Sequence, residues 1–297
     1  MTPNVQDNTT IESWLDFVRI EFENSAPELL DLFVIYANEA KFGREYIDSD
    51  LAVLPPSANI LEVGAGSLLL SCQLIREGFQ IVSLEPVGNG FSHFDRMRNV
   101  VLKAADNIGL KLNLLNATAE SLSIKNHFDY AFSVNVMEHV DDVSAVVVRV
   151  GDSLREAGIY RFTCPNYLFP YEPHFNIPTF FSKRITEKLF YNKIFGHKMP
   201  DPKGTWESLN WITVSSVRKI IVHKNNLSVK FNRSILSNVL TRVVDDKVLA
   251  SRRSPFLMRL IWLIVFLRIH LLLKIIPASL QPVMDCVITK YKKQGNV

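Results

Sequence analysis

The densest chemistry in the chain lies in six consecutive residues, Glu62-Val63-Gly64-Ala65-Gly66-Ser67. They close a short apolar run, Asn59 to Val63, and precede a helical run from Leu68 to Glu77. Glycines in such a turn let the backbone bend sharply and approach a ligand, while the helix behind presents its unpaired N–H groups. A lone G-x-G is also what an ordinary strand–helix connection carries. Two acids sharpen the pattern. Glu62 stands at the carboxyl end of the first strand, and Glu85 closes the second (Gln80 to Leu84), where a carboxylate can accept both hydroxyls of a ribose. The third glycine of a dinucleotide fingerprint falls on Leu69, and Glu62 would repel a pyrophosphate. A cofactor with a ribose, a cationic amine and no phosphate suits these charges; S-adenosylmethionine has that constitution.

Further on, Phe128-Asp129-Tyr130-Ala131-Phe132-Ser133-Val134-Asn135-Val136-Met137-Glu138-His139-Val140 is more specific than the glycine turn. With Glu62, Gly64 and Gly66 it resembles the class I S-adenosylmethionine-dependent methyltransferase family over roughly Asn59 to Asn166, and on toward the last strand. The family's last motif glycine is replaced by Leu68. The resemblance implies that Gly64 and Gly66 cradle the methionine part, with Glu62 near its ammonium and Glu85 on the ribose. Thr118, Ala119 and Glu120 fall where the family recognises adenine, with Thr118 in place of a common aspartate, and Asn135 falls near the transferable methyl.

Methyl transfer is an in-line displacement, so the protein mainly aligns a nucleophile and excludes water. A hydroxyl acceptor must also lose its proton, a task for which histidine is suited. His139 and His174 are the candidates; for His139 the alternative is a histidine packing the start of the next helix. Some quinone-pathway methyltransferases resembling this segment hold a divalent metal with two acids and a histidine. Asn135 stands in place of one acid, so no metal is expected. Tyr167 and Tyr171 are substrate candidates, with packing in an aromatic lid as the alternative. Cys164 lacks an activating base and reads as core.

These residues need elements to hold them. Strands at 59–63, 80–84, 112–115, 130–134 and 160–164 alternate with helices at 68–77, 91–107 and about 142–156, the last closed by Gly158. Helices at 11–22 and 27–51, opened by Thr10 and by Ser25 ahead of Pro27, precede them. An aromatic, proline-rich stretch from Pro165 to Phe180 follows the fifth strand. Helices near 182–194 and 215–224, a strand at 227–235 and a last strand at 286–291 complete the pattern. The expected fold is α/β: a Rossmann-like, seven-stranded, mostly parallel sheet with the last strand antiparallel, a helical cap at 1–56, and a methyltransferase domain at 57–236 and 285–297. An apolar, basic insertion at 237–284 lies between the last two strands.

Composition agrees with a folded chain: 47% of 297 residues are hydrophobic and 21% charged, which excludes disorder. The three cysteines are too dispersed for a disulfide framework or a structural zinc site, pointing to a reducing compartment. The N-terminal MTPNVQDNTT has no secretory pattern, so a cytoplasmic location is expected. The net charge of +3 hides an asymmetry, because Lys247, Arg252, Arg253, Arg259, Arg268 and Lys274 occur between positions 247 and 284 without an acid. Nucleic-acid patches are seldom so interleaved with aliphatic runs, so none is expected as partner. Residues 255–276 read as a helix on which Arg252, Arg259, His270 and Lys274 share a face. That helix is either buried against the sheet or a second copy, or interfacial at a membrane, or a span. The function expected is methyl transfer from S-adenosyl-L-methionine, to oxygen on a small-molecule, sugar or lipid-linked acceptor. A silent adaptor of the same fold at a membrane or partner surface is the alternative.

Overall fold

The computed structural model describes residues 9–86, 92–180, 182–245 and 255–292. Residues 1–8, the expected helix start at Phe91, and Lys247, Arg252 and Arg253 lie outside them. Two compact units divide the chain, one of Met1–Val136, Val140–Arg161 and Thr289–Val297, the other of Met137–His139 and Phe162–Ile288.

The strands are β1 Asn59–Val63, β2 Gln80–Leu84, β3 Asn113–Leu115, β4 Phe128–Val134, β5 Leu154–Pro165, β6 Tyr171–Glu172, β7 Ile177–Pro178, β8 Leu227–Asn232 and β9 Val283–Lys290. Seven of them form one mixed sheet in the order β3-β2-β1-β4-β5-β9-β8, with the last strand antiparallel; β6 and β7 pair as a small hairpin. β1 pairs in parallel with β2 and β4, and β2 with β3. Ile60, Leu61 and Val63 have no exposed surface, as expected of a parallel strand covered on both faces.

In the first unit, α1 (Ile11–Ser25) and α2 (Leu30–Leu51) precede the sheet, followed by α3 (Leu69–Arg76), α4 (Ser92–Asn107) and α5 (Val143–Ser153). Thr10 caps α1 by accepting the N–H of Ser13. Ser25 does not open α2: it is the last residue of α1 and its hydroxyl donates to Glu21 O. The Trp14 indole N–H reaches the carbonyl of Leu69 at 2.9 Å, tying α1 to the first residue of α3.

Gly158 does not end α5. The helix stops at Ser153, because buried Leu154 turns to extended backbone (φ −67°, ψ 148°) and starts β5, which contains Gly158. In the second unit, α6 (Lys183–Phe195), α8 (Val214–Val222) and α9 (Ile235–Asp245) accompany a short helix absent from the sequence reading, α7 (Pro202–Ser208), capped by Asp201. β8 ends at Asn232, three residues earlier than expected, since α9 begins at Ile235.

The apolar segment is not one helix. α10 (Pro255–Phe266) ends where Arg268 takes a left-handed conformation (φ 58°), and a 3-10 stretch, Ile269–Ile275, leaves it at 81°. The shared face expected for Arg259, His270 and Lys274 assumed one continuous helix and is lost at that break. Ile261 is the only residue of α10 to be buried, and none of Ile269–Ile275 is. Among the described residues, no single helix is long and apolar enough to cross a membrane.

Candidate active site

Residues at the carboxyl ends of four adjacent strands, β3, β2, β1 and β4, make the first candidate site, all within the first unit. The β1 turn starts as Gly64 and Ala65 donate to Leu84 O at 2.8 and 3.2 Å. Gly64 has φ +75°, and a Cβ there would lie 2.5 Å from Val136 Cγ2. Gly66 has φ +51°, with Phe94 Cε1 3.2 Å from where its Cβ would be. The turn therefore keeps a space beside its backbone that side chains would fill. Leu68, where the family carries its last glycine, also keeps a left-handed backbone (φ 67°) although it is buried and has a side chain. It accepts about 1 kcal/mol of strain or more in doing so.

Glu62 is buried beneath the turn. The Ser83 hydroxyl donates to Ser71 Oγ at 2.6 Å, and the Ser71 hydroxyl donates to the Glu62 carboxylate. Burial, reinforced by the nearby Glu85, pushes the Glu62 carboxyl up to about 8, with the Ser71 bond opposing. Glu85 is buried too; it accepts the Gly66 N–H at 2.9 Å, and burial raises its pKa. Two buried acids beside an open backbone turn fit a ligand that brings a cation and hydroxyl donors. They do not fit a phosphate.

The other residues named from the sequence differ in placement. Thr118 bonds to the Ser121 hydroxyl at 3.2 Å, and Ala119 is buried. Glu120 accepts the N–H of Asp141 at 3.0 Å, so its carboxylate anchors the segment leading into α5. Asn135 is exposed just past β4 in a left-handed conformation (φ 54°), one that asparagine tolerates.

The histidines and Tyr167 form a second cluster, within the second unit. His139 and His174 meet with ring centroids 5.2 Å apart, and their ligating atoms and that of buried Glu138 lie within 4.8 Å of one another. Burial holds His139 down to about 3, with His174 and Lys183 adding to the effect. Its Nδ1 is 2.8 Å from Ser208 Oγ at the end of α7.

His174, between β6 and β7, sits over a carboxylate that the sequence reading missed. Glu172 is fully buried and accepts His174 Nδ1–H at 2.6 Å, the N–H groups of His174 (3.1 Å) and Phe175 (2.7 Å), and the Tyr167 hydroxyl at 3.3 Å. An acid two residues before a histidine, in Glu172-Pro173-His174, was its sequence signal. Ser208 left none. Tyr167 is not exposed for a substrate: it stacks on Trp211 at 5.3 Å and spends its hydroxyl on Glu172. Tyr171 is exposed, with its hydroxyl on Asn176 Oδ1 at 2.8 Å. Cys164, like Cys72 and Cys286, is a buried free thiol.

Comparison with known proteins bears on the first site. A family described as a methyltransferase domain matches residues 61–162, from within β1 to within β5. Uncharacterized protein Rv1509 of Mycobacterium tuberculosis is 44% identical over 95% of this chain and 96% of its own length. The ubiquinone biosynthesis O-methyltransferase of Paramagnetospirillum magneticum is 31% identical over 41% of this chain and 45% of its own. Among solved structures, an S-adenosylmethionine-dependent methyltransferase from Mesorhizobium loti matches 80% of this chain and 94% of its own, with 12% identity and a TM-score of 0.48. The glycine turn and both acids lie inside the matched segment, and the chain carries a class I methyltransferase domain that uses S-adenosyl-L-methionine.

Proposed function

We propose that the protein transfers a methyl group to an oxygen of a small-molecule, sugar or lipid-linked acceptor. The observation that carries this reading is the cluster of Glu138, His139, His174 and Glu172. An amine acceptor already carries a lone pair when neutral, whereas a hydroxyl must give up a proton, and this cluster supplies groups that can take it. The 31% identical O-methyltransferase supports the same choice over the part it shares. When bound, S-adenosylmethionine supplies a methyl carbon on a cationic sulfur. In this reading Gly64 and Gly66 leave space for its amino-acid part, Glu62 faces its ammonium and Glu85 holds its ribose. Thr118 to Glu120 border its adenine, Asn135 borders its transferable methyl, and His174, oriented by Glu172, receives the hydroxyl proton. Tyr171 adds an aromatic edge for the acceptor.

The test is transfer of isotope-labelled methyl to phenols, sugars and lipid extracts, at cofactor concentrations low enough that Glu85→Ala, with its weakened cofactor binding, serves as the control. A labelled methyl ether or ester is expected. Label found only on nitrogen would contradict the reading.

A membrane surface as the place of action is supported by α10 and Ile269–Ile275. Phe256 is 80% exposed, Phe266 66%, Leu272 61% and Ile275 72%. Trp262 stacks on Phe266, and Arg259, Arg268 and Lys274 are exposed among them. Apolar side chains beside cations suit an anionic headgroup layer. The protein is expected to co-sediment with phosphatidylglycerol vesicles at low salt and less at high salt. Trp262→Ser with Phe266→Ser should weaken this, and sedimentation unchanged in that variant would exclude the surface.

A further inference from the structure

We infer that Glu138, His139 and His174 form a binding site for one divalent transition-metal cation. Their ligand atoms already lie within 4.8 Å of one another, Glu138 fully buried and both histidines half-buried. What distinguishes the cluster from a chance meeting of polar groups is how each ring is held. The Ser208 hydroxyl donates its proton to Thr205 O at 2.9 Å, so it can only accept from His139 Nδ1–H. The Glu172 carboxylate accepts from His174 Nδ1–H in the same way. Both imidazoles are thereby fixed as the Nδ1–H tautomer, with the lone pair on Nε2. A histidine whose second nitrogen donates to a carboxylate or another oxygen is the arrangement that orients metal ligands. Glu172 is locked in turn by Tyr167 and two backbone N–H groups, which makes the support rigid.

Two imidazoles and one carboxylate suit zinc, manganese, iron or cobalt in the divalent state, whereas magnesium and calcium favour oxygen ligands. Metal–ligand bonds of about 2.0–2.2 Å would draw the three groups together by roughly 1 Å. Three protein ligands leave coordination positions open, as a site that acidifies a bound hydroxyl requires. Use of the cation in O-methylation would replace the proton-acceptor role given above to His174, whose Nε2 would be a ligand while its Nδ1 stays on Glu172: the cation would acidify the acceptor hydroxyl, and the proton would leave to water. That use rests on the function proposed above; the binding does not.

The experiment is titration of chelator-stripped, full-length protein with Zn²⁺ and Mn²⁺ by calorimetry, and with Co²⁺ by visible absorption. One equivalent is expected to bind. His174→Ala and Glu138→Gln should each weaken binding by more than about 10-fold, and Glu172→Gln by about 10- to 100-fold through loss of ring orientation. S-adenosylmethionine binding, measured on each variant, reports that the chain is folded. Folded protein that binds S-adenosylmethionine but no cation would overturn the inference, as would cation affinity unchanged in His174→Ala and Glu172→Gln. Stoichiometric cation binding without methyl transfer to any hydroxyl would uphold it and remove the proposed reaction instead.

Discussion

The turn after β1 and the histidine cluster after β4 are built on opposite principles. The first is mostly backbone: two glycines with positive φ, a left-handed leucine, and acids one strand apart at Glu62 and Glu85. The second is almost entirely side chains, drawn from positions 138–139, 172–174 and 208. A backbone site depends on local conformation, so it tolerates little at its glycines and leaves a readable pattern. A side-chain site depends on long-range packing, so single substitutions should alter its chemistry while leaving the fold and the other site intact.

The sharpest break between them comes from Gly64→Ala. The added Cβ would meet Val136 and hold a left-handed backbone, costs of about 1–3 and 1–2 kcal/mol. S-adenosylmethionine binding in calorimetry is expected to vanish, and Gly64→Ala with Val136→Ala should recover part of it. Full binding by the single variant would show that the turn is not the cradle.

Glu172→Gln should act the opposite way. Loss of the charge that fixes His174 is expected to lower methyl transfer by about 10- to 100-fold while S-adenosylmethionine affinity stays unchanged. A parallel loss of cofactor affinity would mean that the two clusters are not separable.

Glu62 provides a subtler contrast, because its pKa of about 8 leaves it largely protonated at pH 7 in the free protein. If it faces the cofactor's ammonium, binding at pH 7 is expected to release protons, readable by calorimetry in buffers of different ionisation enthalpy. Glu62→Gln should abolish that release. The same raised pKa fixes a sign for stability. Between the unfolded value of about 4.3 and about 8 the folded chain holds the proton more tightly, so this contribution declines as pH rises through that window.

The smallest effect concerns Leu68. Leu68→Ala and Leu68→Gly both open buried space, glycine one methyl more, but only alanine keeps the left-handed strain. The glycine variant should be the more stable by about 1 kcal/mol, or about 2–4 °C in a thermal melt.

The contrast also explains what could be read without the structure. NILEV, QIVSL and the residues around FDYAFSV were legible as strands because each is a short apolar run ended by turn residues, and the glycine turn was legible by its spacing. α5 ended early because buried Leu154 begins β5, a tertiary choice that Gly158 as a helix stop did not reveal. The bend at Arg268 was hidden because an arginine with positive φ carries no pattern in an aliphatic run. Glu172 and Ser208 gain meaning only once folding brings them to the histidines.

The most direct test of the central claim is calorimetric titration of the purified full-length protein with S-adenosylmethionine, with NADH as control. Saturable one-to-one binding is predicted, weakened about 10- to 100-fold in Glu85→Ala by loss of a charged hydrogen-bond acceptor for the ribose. Absence of binding by well-folded protein, or saturable binding of NADH in its place, would contradict it.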